Sequence, residues 1–175
     1  LPLLLIQHMP PGFTKAFAAR LNELSSLTVR EARDGDALLP GEALVAPAGL
    51  QTAVAGEPGR LFARVGNRPD SFFRPSADLS FGSMAEACGR RAIGAVLTGM
   101  GQDGARGLLA LRQAGACTLA EAAETCVVHG MPRAAAEMGA ARWILPLWDF
   151  PAAIMALVGR RDRTAAADAR TDQPS

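Results

Sequence analysis

Apolar runs of strand length alternate with segments of helical period along this chain. That pattern predicts an α/β fold, a doubly wound, mostly parallel sheet with helices on both faces and a short antiparallel excursion. Three observations carry the prediction. The runs are rich in Val, Ile, Leu and Ala, as strands buried on both faces are. The middle of the chain breaks the alternation with stretches dense in Gly, Pro, Asp and Asn. A chain of 175 residues, 49% of them hydrophobic, is the size of one domain around one core.

The elements follow in order. The opening "LPLLLIQHMPPGFTKAFAARL" reads as a strand from Leu3 to Ile6, a turn stiffened by Pro10 and Pro11, and a helix from Thr14 to Leu24. Phe17, Leu21 and Leu24 fall on one stripe of that helix and are assigned to the core. Strands are expected from Leu27 to Glu31 and from Ala43 to Ala46. The turn-rich segments "DGDALLPGEALVAPAG" and "AGEPGRLFARVGNRPD" then form the antiparallel excursion, with a strand from Leu61 to Val65. Regular alternation resumes with helix Ala77 to Cys88, strand Ile93 to Leu97, helix Asp103 to Ala114 and strand Cys117 to Ala120. A helix from Pro132 to Met138, a strand from Trp143 to Leu145 and a helix from Phe150 to Val158 complete the series. The end, "GRRDRTAAADARTDQPS", loses its apolar period, so the domain is set at 1–158 and a flexible tail at 159–175.

Composition excludes several classes of function. With 18 basic against 17 acidic residues the net charge is +1, which gives no general grip on nucleic acid or anionic lipid. The three cysteines, Cys88, Cys117 and Cys126, show no paired spacing, so neither a disulfide framework nor a structural zinc site is expected, and a reducing compartment fits. The apolar start is too short to span a bilayer and has no basic leader, and it is read as a buried strand. The first residue is leucine, and the chain is expected to begin within a longer protein.

Two turns hold candidate chemistry. His8, one of only two histidines, sits at the lip of the first strand, where open α/β sheets place their active groups. The second turn lies in "AIGAVLTGMGQDGARGLLALRQAGA", where Gly99, Gly101 and Gly104 match G-x-G-x-x-G between a strand and a helix, with Glu121 closing the next apolar run. Three readings of this turn stand side by side: a dinucleotide fingerprint, a helix N-cap by Asp103, and a catalytic aspartate. An anionic side chain between the second and third glycines opposes a bound phosphate. His8 and Asp103 also follow strands that should be parallel, which puts both at one sheet edge. An acid that orients a histidine beside glycine amides is the layout of acyl transfer.

Five blocks, "IQHMPPGFTKAFAARLN", "EARDGDALLPGEALVAPAG", "FRPSADLSFGSMAEACG", "AIGAVLTGMGQDGARGLLALRQAGA" and "CVVHGMPRAAAEMGAA", resemble the catalytic domain of the bacterial chemotaxis protein-glutamate methylesterases, the CheB family, over residues 3–147. The resemblance implies hydrolysis of glutamate methyl esters, and deamidation of glutamines, on the cytoplasmic domains of methylated chemoreceptors. It further implies a Ser-His-Asp triad, no metal or organic cofactor, a cytoplasmic location, no nucleic-acid partner, no direct membrane insertion and, in many members, an attached receiver domain. By motif match His8 is the histidine, Asp103 the aspartate, and Met100 the residue whose backbone amide lies near the oxyanion. Arg74 and Met9 are placed at the substrate cleft.

The family's nucleophilic serine lies in a glycine-rich turn of the form A-S-T-G-G, and no serine here has that context. The resemblance therefore places the nucleophile on a strand-turn segment outside this chain, and implies that the chain alone is inactive. Ser76 in "RPSAD" is read as a helix cap. Cys126 and His129, in "ETCVVHGMPRA", are weaker candidates, because a thiol in an apolar run belongs to the core. The rival readings are a dinucleotide-binding domain and a non-catalytic receptor-binding module.

Overall fold

The computed structural model describes residues 1–67 and 71–159. Strand β1 (Leu3–Leu5) leads through the proline turn into α1 (Phe13–Leu24), followed by β2 (Thr28–Glu31) and β3 (Glu42–Val45). Strands β4 (Gln51–Glu57) and β5 (Arg60–Gly66) precede α2 (Ala77–Cys88). Then come β6 (Ile93–Val96), α3 (Ala105–Gln113), β7 (Cys117–Glu121), α4 (Met131–Glu137) and β8 (Trp143–Leu145), and residues 150–159 form a last helix, α5. The element series matches the sequence reading to within a residue or two, except that the antiparallel excursion is a full hairpin, with Gln51 opposite Gly66 and Glu57 opposite Arg60. The expected tail at 159–175 lies, from residue 160 on, outside the described residues.

The parallel strands form two pieces, β1-β3-β2 and β6-β7-β8. Among the described residues β1 pairs only with β3 and β6 only with β7, so each presents one unpaired edge. Strand β3 alternates as a doubly covered strand must: Ala43 and Val45 pack with Ala18, Phe17 and Leu21 of α1, while Leu44 packs on the opposite side with Val54, Ala63 and Met84. Leu24 departs from expectation, because it is 66% exposed. It lies on the stripe, but in the last turn, after the buried positions Thr14 and Ala18 have made the contact with the sheet.

Helix α2 joins the two pieces. Its Met84 and Cys88 touch both the core under β3 and the hairpin and the separate core formed by Val96, Leu108, Leu111 and Ala120. The same helix packs closely on α3 at Gly107, where an added Cβ would lie 2.3 Å from the Asp78 carbonyl oxygen. A glycine is required there by backbone approach. Because α2 spans both halves, its N-terminus is a fixed point between β1 and β6.

Candidate active site

His8 leaves the carboxyl end of β1 in a segment held at both sides. Phe13 N–H donates to the Pro10 carbonyl (3.3 Å), and Gly12 starts α1 at φ +90°, a conformation that only glycine adopts without strain. Thr14, buried in the first turn of α1, donates to Glu31 (2.6 Å) and accepts from the Ala48 amide (3.2 Å), which locks the helix start to β2 and to the loop after β3. The imidazole is 28% exposed and stacks on the ring of Phe73, with centroids 4.9 Å apart and planes at 25°.

Asp103 meets it, its Oδ2 lying 2.8 Å from His8 Nε2. The carboxylate is 3% exposed and has three further donors: the Ser76 hydroxyl on Oδ1 (2.9 Å), the Ala77 amide on Oδ2 (2.7 Å) and the Asp78 amide on Oδ1 (3.0 Å). Ala77 and Asp78 are the first residues of α2, so Asp103 caps that helix from across the fold and sits at its positive end. Its own helix, α3, begins at Gly104 with no side-chain cap. The cap reading of the glycine turn thus holds for a different helix from the one the sequence suggested. Burial alone pushes the Asp103 carboxyl up, but the hydrogen bonds from His8, the Asp78 and Ala77 amides and Ser76 outweigh it and hold the group below its ordinary value. Asp103 is an anion at neutral pH.

The supporting roles of Ser76, Gln51 and Phe73 in this cradle are not legible from local sequence. Ser76 is the expected cap of α2, accepting from the Leu79 amide (3.4 Å), yet its hydroxyl hydrogen goes to Asp103. Gln51, 1% exposed at the start of β4, accepts from the Ser76 amide (2.9 Å) and donates to the Phe73 carbonyl (2.8 Å). One buried side chain therefore ties the ring that supports His8 to the residue that supports Asp103. These contacts join positions 22 and 25 residues apart, which no local pattern encodes. The only sequence signal was Ser76 at a helix start.

The turn before Asp103 is clamped by the loop after β7. Gly99 N–H donates to the Val128 carbonyl (2.9 Å), and the Gly99 carbonyl accepts from the amides of Gly130 (3.1 Å) and Met131 (2.8 Å). Glu121 is 1% exposed and takes the Thr98 amide on its carboxylate (2.7 Å). The acid that a dinucleotide fingerprint would aim at a ribose is thereby turned inward, and the anionic Asp103 occupies the turn itself. Neither arrangement favours a dinucleotide. Among the described residues the Met100 amide donates to no protein acceptor, and the Met100 side chain is 82% exposed.

The other candidates are dispersed. Arg74 follows Phe73, is exposed, and donates from Nε to the Ser71 carbonyl (3.4 Å), while Met9 beside His8 is half-buried. Burial, with Glu121 adjacent, pushes the Cys126 thiol up, away from the thiolate that a nucleophile requires. His129 forms an isolated bridge with Gly99. Among the described residues no serine hydroxyl reaches His8, no group of three or more His, Cys, Asp or Glu is placed to hold a metal, and no helix is long and apolar enough to cross a membrane.

Residues 1–154 match the family model described as CheB methylesterase. The chain belongs to the CheB methylesterase family. Among CheB relatives, the Pseudomonas aeruginosa protein-glutamate methylesterase/protein-glutamine glutaminase 2 is 49% identical over 160 residues, 91% of this chain and 46% of that protein. The corresponding Symbiobacterium thermophilum protein is 49% identical over 157 residues, 90% of this chain and 43% of its own length. The crystal structure of the Thermotoga maritima CheB methylesterase catalytic domain superposes with a TM-score of 0.85 at 38% identity, covering 89% of this chain and 83% of that one. The chain thus has the CheB catalytic-domain fold, and it spans under half the length of these curated relatives.

Proposed function

We propose that this chain carries the base and acid of a protein-glutamate methylesterase that hydrolyses methyl-esterified glutamate side chains on cytoplasmic chemoreceptor domains and deamidates receptor glutamines. The observation that carries the reading is the His8–Asp103 pair, 2.8 Å apart with the carboxylate held by three more donors, in a chain of the CheB family. His8 is the general base and Asp103 its orienting acid. The nucleophilic serine is contributed by a segment outside these residues. Its hydroxyl attacks the ester carbonyl as its proton passes to His8, and the proton then leaves with methoxide as methanol. Water, activated by His8 in the same way, attacks the acyl-enzyme, restoring the serine and freeing the glutamate. The unoccupied Met100 amide is assigned to the tetrahedral oxyanion, a contact whose loss typically costs about 3 kcal/mol of barrier. Arg74 and Met9 are assigned to the cleft that receives the receptor segment. In the longer protein a receiver domain is the proposed regulator, and the enzyme is placed in the cytoplasm, where receptor tails lie.

Methanol release from methylated receptor tests this reading. The full-length polypeptide that carries these residues is expected to release methanol, and His8→Ala to lower the rate by about 10²- to 10⁴-fold. The 175-residue chain by itself is expected to release none above background. Full activity in His8→Ala would overturn the assignment, and activity of the chain alone would move the nucleophile to one of its own residues, with Ser76→Ala and Cys126→Ala deciding which.

A further inference from the structure

We infer that the reacting nitrogen of His8 is Nδ1, and that Nε2 is committed to Asp103. In the commoner wiring of a serine triad the acid binds Nδ1 and the nucleophile's proton goes to Nε2. Here Nε2 lies 2.8 Å from Asp103 Oδ2. Asp103 is an ionised, acceptor-only group already receiving three other donors, so the nitrogen facing it must donate. A neutral imidazole has one N–H, and it is spent on Asp103. The lone pair that accepts a proton is therefore on Nδ1.

The ring has little freedom to reverse this. Turning it over about Cβ–Cγ would put a carbon, Cε1, against Oδ2 and lose a charge-assisted bond. Phe73 stacks on one face, and its main chain is held by Gln51 from the same cradle that fixes Asp103. Nδ1 is the nitrogen next to the residue's own Cβ, whereas Nε2 is at the far tip. The attacking hydroxyl must accordingly approach close to the main chain at the end of β1, beside His8 Cβ, and not past the tip of the ring. Its proton passes to Nδ1 as its electron pair forms the bond to the ester carbon and the carbonyl π pair moves to oxygen. When the intermediate collapses, the Nδ1 proton leaves with methoxide. The positive charge of the imidazolium is balanced throughout through Nε2–H and Asp103.

The nucleophile's approach rests on the esterase reading, but the position of the ring proton is a property of the folded chain, and the test separates the two. The full-length polypeptide is labelled with ¹⁵N-histidine, His8 is assigned by the signal lost in His8→Gln, and two-bond ¹H–¹⁵N correlations are recorded with the ring neutral. The expected result is a single Nε2–H tautomer, its proton shifted downfield and showing a nuclear Overhauser contact to the Ala77 amide proton, because both donate to Oδ2. In Asp103→Ala the downfield shift should be lost. A proton on Nδ1, or a mixture of tautomers without the Ala77 contact in the unmodified protein, would overturn the inference whether or not the variant folds. Failure to release methanol would overturn the esterase reading and leave this spectrum unaffected.

Discussion

Asp103 is buried among four donors, and the balance of burial against hydrogen bonding sets its charge. Since its folded value is depressed below the ordinary 3.8, the ionised form stabilises the fold at pH values above that figure. The contribution is lost as pH falls through the depressed value. Unfolding by urea at a series of pH values should therefore show Asp103→Asn destabilised at neutral pH, with the difference from the parent shrinking below about pH 4. A difference that does not change with pH would contradict the assignment of the charge. Ser76→Ala removes both the cap of α2 and a donor to Asp103, and should cost about 1–2 kcal/mol in the same measurement. In the active protein it should lower kcat with little effect on KM, because Ser76 acts through Asp103 and has no place against substrate.

At the scale of elements, α2 sets the geometry of the site, since its N-terminus holds Asp103 and its body reaches both cores. Two glycines test how tightly it is placed. Gly107→Ala drives a Cβ to 2.3 Å from the Asp78 carbonyl oxygen and should cost about 1–3 kcal/mol through separation of α2 from α3. Gly82, in α2 itself, has nothing within 4 Å of an added Cβ, so Gly82→Ala should be neutral or stabilising by up to about 1 kcal/mol. Thermal unfolding of the two variants side by side checks both, and equal effects would mean that the α2–α3 contact does not limit the fold. The hairpin of β4 and β5 matters for the same reason, because Gln51 at its start reaches both Phe73 and Ser76.

The whole molecule has two three-stranded parallel pieces whose edge strands β1 and β6 are each paired on one side only among the described residues. Unpaired parallel edges are templates for association, and apolar faces beside them stay open to water. The 175-residue chain in isolation is expected to bind an apolar dye and to elute above its monomer mass of 18.2 kDa. Extending it upstream along its natural gene should suppress both. A monomeric species with a cooperative thermal transition and no dye signal would show that the two pieces are stable without a further strand.

The sequence by itself determined the order and kind of the elements, because each depends on local periodicity and turn chemistry. The strand Leu3 to Ile6, the strand Cys117 to Ala120 and the helix Ala77 to Cys88, all legible from spacing alone, fall within a residue of the observed elements. It also put His8 and Asp103 each after a strand of parallel type, and the blocks shared with the CheB family named them as a pair, although β1 and β6 lie in separate three-stranded pieces. Strand β4 was not separately legible, as "QTAVAGE" is short and lies among turn residues, so its pairing with β5 is what makes it a strand. Leu24 shared the apolar stripe of α1 and still stayed exposed, because a stripe specifies a face and not what lies against each turn of it. The supports of the pair were decided only in three dimensions. Gln51, Phe73, Ser76 and the α2 amides converge on His8 and Asp103 from separate parts of the chain. Which imidazole nitrogen faces the carboxylate depends on a side-chain orientation that packing fixes and spacing does not record.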